Sequence, residues 1–191
     1  MKKAILDILN ASIEVKRAIT ENEQLISEIE RSINAINQSL EQGGRILFCG
    51  NGGSAADAQH IAAELTGRFY IDRPPLDAEA LHVNSSYLTA VANDYEFNEA
   101  YARLVRAKGR PGDILVALST SGNSRNVILA AQAARDLNMF VIGMSGLTGG
   151  NLASLCDICI NVPSKDTPRI QEAHITIGHI LCQQVEQHFF G

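Results

Sequence analysis

The sequence predicts an α/β fold: a three-layer, doubly wound parallel sheet of about five strands flanked by helices, with a long helical segment ahead of it. Three observations predict it. Short apolar runs at 46–49, 78–83, 113–118, 139–144 and 158–162 alternate with stretches of helical pattern, and strands apolar throughout are those buried on both faces of a parallel sheet. Two of the runs end in turns of unusual composition, GNGGS at 50–54 and STSGNS at 119–124, and each leads straight into a helix. The chain has 191 residues, 46% of them hydrophobic, which suits one domain with a substantial core. Right-handed crossovers then put both special turns at the carboxyl edge of the sheet, where ligands bind in such folds.

Residues 2–41 read as helix, in two pieces broken or capped at Thr20 or Asn22. The second piece carries Ile26, Ile29, Ile33, Ile36 and Leu40 at alternating spacings of three and four, a seam of coiled-coil type. That stripe serves either its own domain or a neighbouring subunit. Gly43 and Gly44 end it as a C-cap signal. Residues 1–44 are thus expected as a helical segment packing on the core and on neighbouring subunits, and 45–191 as the α/β body, the two forming one structural domain.

The first strand, Ile46 to Cys49, feeds the glycine turn and an alanine-rich helix. A polar connection with Pro74 and Pro75 leads to a strand at 78–83. The cluster Asn84, Ser85, Ser86 caps a short helix reaching Val91. Asn93 and Asp94 interrupt the pattern, and a helix over 98–107 follows. After a turn at Pro111 and Gly112 come the strand 113–118, the serine loop, a helix over 124–137 and the strand 139–144. A turn, a short helix, the strand 158–162 and a closing helix over 169–189 complete the chain.

Sixteen basic and twenty-one acidic residues give a net charge of −5 with no basic tract, which argues against a nucleic-acid partner. No apolar run reaches the length of a membrane span and no secretory-type stretch opens the sequence, so no membrane association is expected and the expected location is cytoplasmic. The spacing Cys156-x-x-Cys159 invites a metal or redox role. The pair belongs to a strand, however, and no second CxxC or CxxH supplies further ligands. All four cysteines read as thiols of a reducing compartment.

The serine loop offers four hydroxyls, Ser119, Thr120, Ser121 and Ser124, beside a helix start. Hydroxyls and backbone N–H groups backed by the positive end of a helix suit a phosphate monoester. No Lys or Arg stands at the loop's centre, so neutral donors are expected to do the holding. The glycine turn, Asn51, Gly52, Gly53 and Ser54, is a second cradle for an anion or polyol. It is neither a P-loop nor a dinucleotide fingerprint, lacking both Lys-Ser/Thr and the G-x-G-x-x-G spacing. Its helix carries His60 and Glu64, an i,i+4 pair that shares one face. The closing helix adds Gln171, Glu172, His174 and His179. Gln171 and His179 are separated by about 12 Å of helical rise, so to serve one centre they must lean together or come from different subunits. Spacing alone does not choose between His174 and His179.

Taken together, CGNGGSAADAQHIAAELTGR, AVANDYEF, ALSTSGNSRNVILAA and PRIQEAHITIGHILC resemble the phosphoheptose isomerases, a branch of the sugar isomerase (SIS) domain proteins. The resemblance spans nearly the whole chain. It implies an aldose–ketose isomerase acting on sedoheptulose 7-phosphate. It also implies a homotetramer with active sites at subunit boundaries, and one Zn²⁺ per subunit on His60, Glu64, Gln171 and His179. Catalysis would fall to Glu64 and His179, leaving His174 as a structural neighbour. Substrate contacts would fall on Asn51, Gly52, Gly53, Ser54, Glu64, Asn93, Asp94, Ser119, Thr120, Ser121, Ser124 and Gln171. Pro168 departs from many relatives, which carry Asp or Ala there. A relative that binds the bacterial replication initiator without catalysis, or an isomerase for another phosphosugar, is the alternative the resemblance leaves. Relatives of the first kind lose the Glu64 position and alter both loops.

Overall fold

The computed structural model describes residues 1–191. Its strands are β1 (Ile46–Cys49), β2 (Ala78–Ala80), β3 (Ile114–Ser119), β4 (Phe140–Ser145) and β5 (Ile158–Asn161). All pairings are parallel, in the order β2-β1-β3-β4-β5. The chain winds outward one way from β1 to β2, then returns to β3 and winds the other way. The reversal between β1 and β3 is the switch point at which such sheets open a crevice, and both special turns leave from it.

Seven α-helices complete the layers: α1 (Lys2–Thr20), α2 (Glu23–Glu41), α3 (Gly53–Thr66), α4 (Ser85–Asp94), α5 (Ala100–Lys108), α6 (Arg125–Asp136) and α7 (Thr167–Phe190). Alternate strand residues divide the core. Ile46, Phe48, Ile114, Val116, Leu118, Ile142 and Met144 pack with α2, α3 and α7. Leu47, Cys49, Leu115, Ala117 and Val141 pack with α5 and α6 on the opposite face. Side chains of this kind stabilise the fold by about 1.5–3 kcal/mol each when fully buried. The buried face of α6 includes Ala130, Ala131, Ala133 and Ala134, small residues that let the helix sit close to the sheet. No helix is long and apolar enough to cross a membrane.

The N-terminal segment breaks where expected. The Asn22 side chain accepts the Leu25 N–H at 3.1 Å and starts α2. Gly43, at φ +77°, ends it, and the Gly44 N–H returns to the Ser39 carbonyl. Of the α2 stripe, Ile29 and Ile36 are buried in the domain's own core, with Ile33 and Leu40 packed against it, while Ile26 is exposed. The apolar face left uncovered belongs instead to α1, where Ile5, Leu6, Ile8, Leu9 and Ile13 are each about half exposed.

Several boundaries differ from the sequence reading. The strand expected over 78–83 stops at Ala80, because the chain turns through Leu81 and His82 toward the Asn84 cap. The helix after that cap runs on to Asp94, since Asn93 and Asp94 are exposed on its last turn and cost it no burial. Where a helix was expected to begin at 98, a 3₁₀ turn at Phe97–Glu99 precedes α5. The short helix before β5 is a 3₁₀ stretch, Gly150–Leu155. Helix α7 starts earlier, at Thr167, with Pro168 in its first turn, where a missing N–H costs nothing. The four cysteines are free thiols; Cys49 and Cys182 are fully buried, and Cys156 and Cys159 lie partly buried against Gly143.

Candidate active site

At the end of β1 the turn is crowded at Gly50 and Gly53. A Cβ on Gly50 would come within 2.6 Å of the Ser54 carbonyl oxygen. The buried Tyr101 hydroxyl donates to the Gly50 carbonyl at 2.5 Å. Gly52, at φ +55°, is the N-cap of α3 and takes a conformation that an L side chain resists. Asn51 forms a reciprocal pair with Asn126 at the start of α6, each amide donating to the other's oxygen at 2.8 Å. This pair ties the glycine turn to the element that follows the serine loop. Asn126 is buried and also accepts the Val127 N–H. The sequence reading missed it, although it stands two residues beyond Ser124.

The serine loop is held from several sides. The Ser119 hydroxyl donates to that of Ser124 at 3.0 Å, closing the loop's two ends. Within it the Asn123 N–H bonds the Ser121 hydroxyl. Gly122, at φ +65°, packs so tightly that a Cβ would overlap the Gly149 carbonyl. The Leu152 N–H donates to the Gly122 carbonyl, the Gly146 N–H to that of Thr120, and the Asn151 N–H to the Asn123 side chain. Thr120 and Ser121 also line a cavity of about 260 Å³ together with Ser164, Lys165 and Thr167. A cation therefore does stand beside this loop. It comes from the connection before α7, too far along the chain for the loop's own composition to reveal it.

Helices α3 and α7 pack side by side in the same direction. Gln171 lies against Gly53, Gly178 against Ile61, and Glu186 against the backbone of Phe69. That alignment sets His179 beside His60, with ring centroids 5.0 Å apart and planes at 76°. His60 Nε2 and Glu64 Oε1 are 2.9 Å apart. His60, Glu64 and His179 offer ligand atoms that all lie within 4.8 Å of one another, a triad able to hold a metal ion. Phe69 covers His179 with a tilted ring at 5.6 Å. The Gln171 carboxamide touches the Gly53 position instead, two helical turns toward the glycine turn. The exposed Asn93 amide donates to the Asp94 carboxylate at 2.9 Å, and neither side chain hydrogen-bonds to either loop. His174 lies fully buried, its Nε2 against the Ser145 carbonyl at 3.2 Å.

Beneath the triad lies a buried ion pair that the sequence reading did not single out. The Glu186 carboxylate accepts the backbone N–H groups of Phe69, Tyr70 and Ile71 and the Arg73 Nε–H. Arg73 in turn donates to the carbonyls of Glu64, Leu65, Gly67 and Pro74. Burial pushes the Glu186 carboxyl up, but those donors outweigh it and hold it below the ordinary glutamate value. The pair fixes the end of α3, and so Glu64, against α7.

The SIS domain family model matches residues 10–146, which include both donor-rich turns and the His60–Glu64 pair. A phosphoheptose isomerase of Aneurinibacillus thermoaerophilus is 47% identical over 190 residues, covering 100% of this chain and 96% of that protein. One from Rhodospirillum rubrum is 60% identical over 148 residues, covering 78% and 79%. The solved structure of a phosphoheptose isomerase from Neisseria gonorrhoeae superposes with a TM-score of 0.91 at 42% identity, covering 97% of this chain and 98% of that one. For the Francisella tularensis protein the values are 0.92, 38%, 97% and 97%. The chain belongs to the SIS domain family, in its phosphoheptose isomerase branch.

Proposed function

We propose that the protein converts sedoheptulose 7-phosphate to D-glycero-D-manno-heptose 7-phosphate, the first step toward the heptose of bacterial surface polysaccharide. The observation that carries this reading is the His60–Glu64–His179 cluster within one chain, on helices whose starts lie at the sheet edge bearing both turns. The hydroxyls of Ser119, Thr120, Ser121 and Ser124 bind the phosphoryl group, with the N-terminus of α6 behind them and Lys165 to one side. The turn of Asn51, Gly52, Gly53 and Ser54 holds the sugar chain, with Asn93 and Asp94 assigned to its hydroxyls. Of the two roles expected of Gln171, its place against Gly53 supports substrate contact rather than metal ligation.

A ketose becomes an aldose when one proton leaves C1 and one arrives at C2. Glu64 is the base that removes the first and delivers the second, through an enediol. His179 exchanges protons with the two oxygens. The Glu64 carboxylate is oriented by His60 and, through its own main chain, by Arg73. Two imidazoles and a carboxylate suit a divalent cation, and we assign Zn²⁺ to His60, Glu64 and His179. When bound it would polarise the carbonyl and hydroxyl oxygens and steady the enediolate charge.

We assign a homotetramer in the cytoplasm, with active sites at subunit boundaries. Supporting this are the uncovered apolar face of α1 and the openness of the cluster, where the His60 side chain is 49% exposed. A coupled assay of heptulose phosphate isomerisation tests the function. Turnover by the wild-type protein is expected. No turnover from a folded, zinc-loaded tetramer overturns the reading.

A further inference from the structure

We infer that His174 is a positioning residue for the phosphate-binding loop, acting through Ser145. This rests on the reading that residues 119–124 hold the phosphoryl group. His174 lies on the inner face of α7 with 0% exposure. Its Nε2 is 3.2 Å from the Ser145 carbonyl. A carbonyl only accepts, so Nε2 carries the proton and donates. The remaining nitrogen, Nδ1, is then a bare acceptor, and it is buried with no partner. Packing alone does not account for that choice of residue. An orphaned acceptor in the core lowers stability, and a leucine or phenylalanine would fill the space without one.

The residue that receives the bond explains it better. The Ser145 hydroxyl, itself fully buried, donates to the Ser119 carbonyl at 2.8 Å. The Ser119 hydroxyl donates to that of Ser124 at 3.0 Å. Three successive hydrogen bonds thus run from α7, through the end of β4, to both ends of the loop. The Ser145 carbonyl already accepts the Val162 N–H at 2.9 Å. Removing the imidazole would therefore leave no orphaned carbonyl; what it removes is the tether. Burial also pushes the imidazole down to about 4, so it stays a neutral donor at working pH. A loop ordered before the ligand arrives loses less entropy on binding, and that is the contribution assigned to His174.

The test measures the KM for the heptulose phosphate, the inhibition constant of inorganic phosphate, kcat, zinc affinity and thermal midpoint. In His174→Leu, KM and the phosphate constant are expected to rise about fivefold, as for one ordinary hydrogen bond. Zinc affinity should stay as in the wild type, kcat should change less than KM, and the thermal midpoint should hold or rise. His174→Gln places an amide N–H near the position of Nε2 and should recover most of the loss. Ser145→Ala removes the middle link with little change of volume and should reproduce the rise. Wild-type constants in Ser145→Ala overturn the inference, whether or not His174→Leu folds. Ser124→Ala separates this from failure of the site reading. If that variant too binds phosphate normally, the phosphoryl group is held elsewhere. If it alone is impaired, the loop reading stands and His174 is packing only.

Discussion

The two ends of the site are built on opposite plans. The end to which we assign the phosphate is made of backbone and short hydroxyls, and its loop is held by Gly149, Leu152, Gly146 and Asn151 from the next connection. The end to which we assign the proton transfers is three side chains on two helices, with His60 half exposed and the Glu64 carboxylate bonded only to it. Binding a fixed dianion rewards a cradle that does not move. Moving protons between two carbons rewards groups that can shift by an ångström and exchange partners. The rigidity the reactive end does need is supplied from beneath, where Glu186 and Arg73 lock the end of α3 to α7.

This contrast is broken most sharply at Glu64. Glu64→Gln should lower kcat by about 10³-fold, within the range for loss of a general base, while inorganic phosphate still inhibits with its wild-type constant. Near-normal turnover would remove Glu64 from the mechanism. Next comes the support beneath. Glu186→Gln leaves Arg73 without its partner and should cost about 3 kcal/mol in urea unfolding at pH 7. Because the folded carboxyl titrates below its unfolded value, its contribution is present above the unfolded value and is lost as pH falls through the folded one. The variant's stability should therefore fall less steeply in acid than the wild type's.

On the phosphate side, Gly122→Ala meets both a positive φ and the Gly149 carbonyl. A loss of about 2 kcal/mol in stability, with a raised KM, is expected. An unchanged KM would show that the loop's shape does not matter for binding. The smallest effect belongs to Lys165, a lone cation at the rim. Lys165→Ala should raise KM about threefold at low ionic strength, as expected of an exposed charge, and by less in high salt. A larger, salt-independent rise would mean that the phosphoryl group sits deeper in that cavity than the neutral hydroxyls.

The sequence was most legible where one stretch carries the whole signal. The alternation of apolar runs gave the parallel sheet, and the two turns stood out because strand, glycine or serine cluster and helix are contiguous. The pairing of His60 with Glu64 follows from helical spacing. That His179 rather than His174 joins them follows from the way α7 lies along α3, a tertiary fact that spacing within one helix cannot express. Asn126, Lys165 and Glu186 escaped for the same reason. Each acts on a partner distant in sequence, Glu186 across more than a hundred residues. The stripe on α2 was visible, but its partner was not: Ile29 and Ile36 serve the chain's own core, and the uncovered face lies on α1.

At Gly178 α7 lies against α3, and a Cβ there would come within 2.4 Å of the Ile61 side chain. It lies next to His179 and faces the helix that carries Gly53 at one end and Glu64 at the other. A bulkier residue there would have to displace the Ile61 side chain, between the Gln171–Gly53 contact on one side and the imidazole pair on the other. Drift at this one small residue is thus a lever on specificity and chemistry together, which neither turn can be on its own.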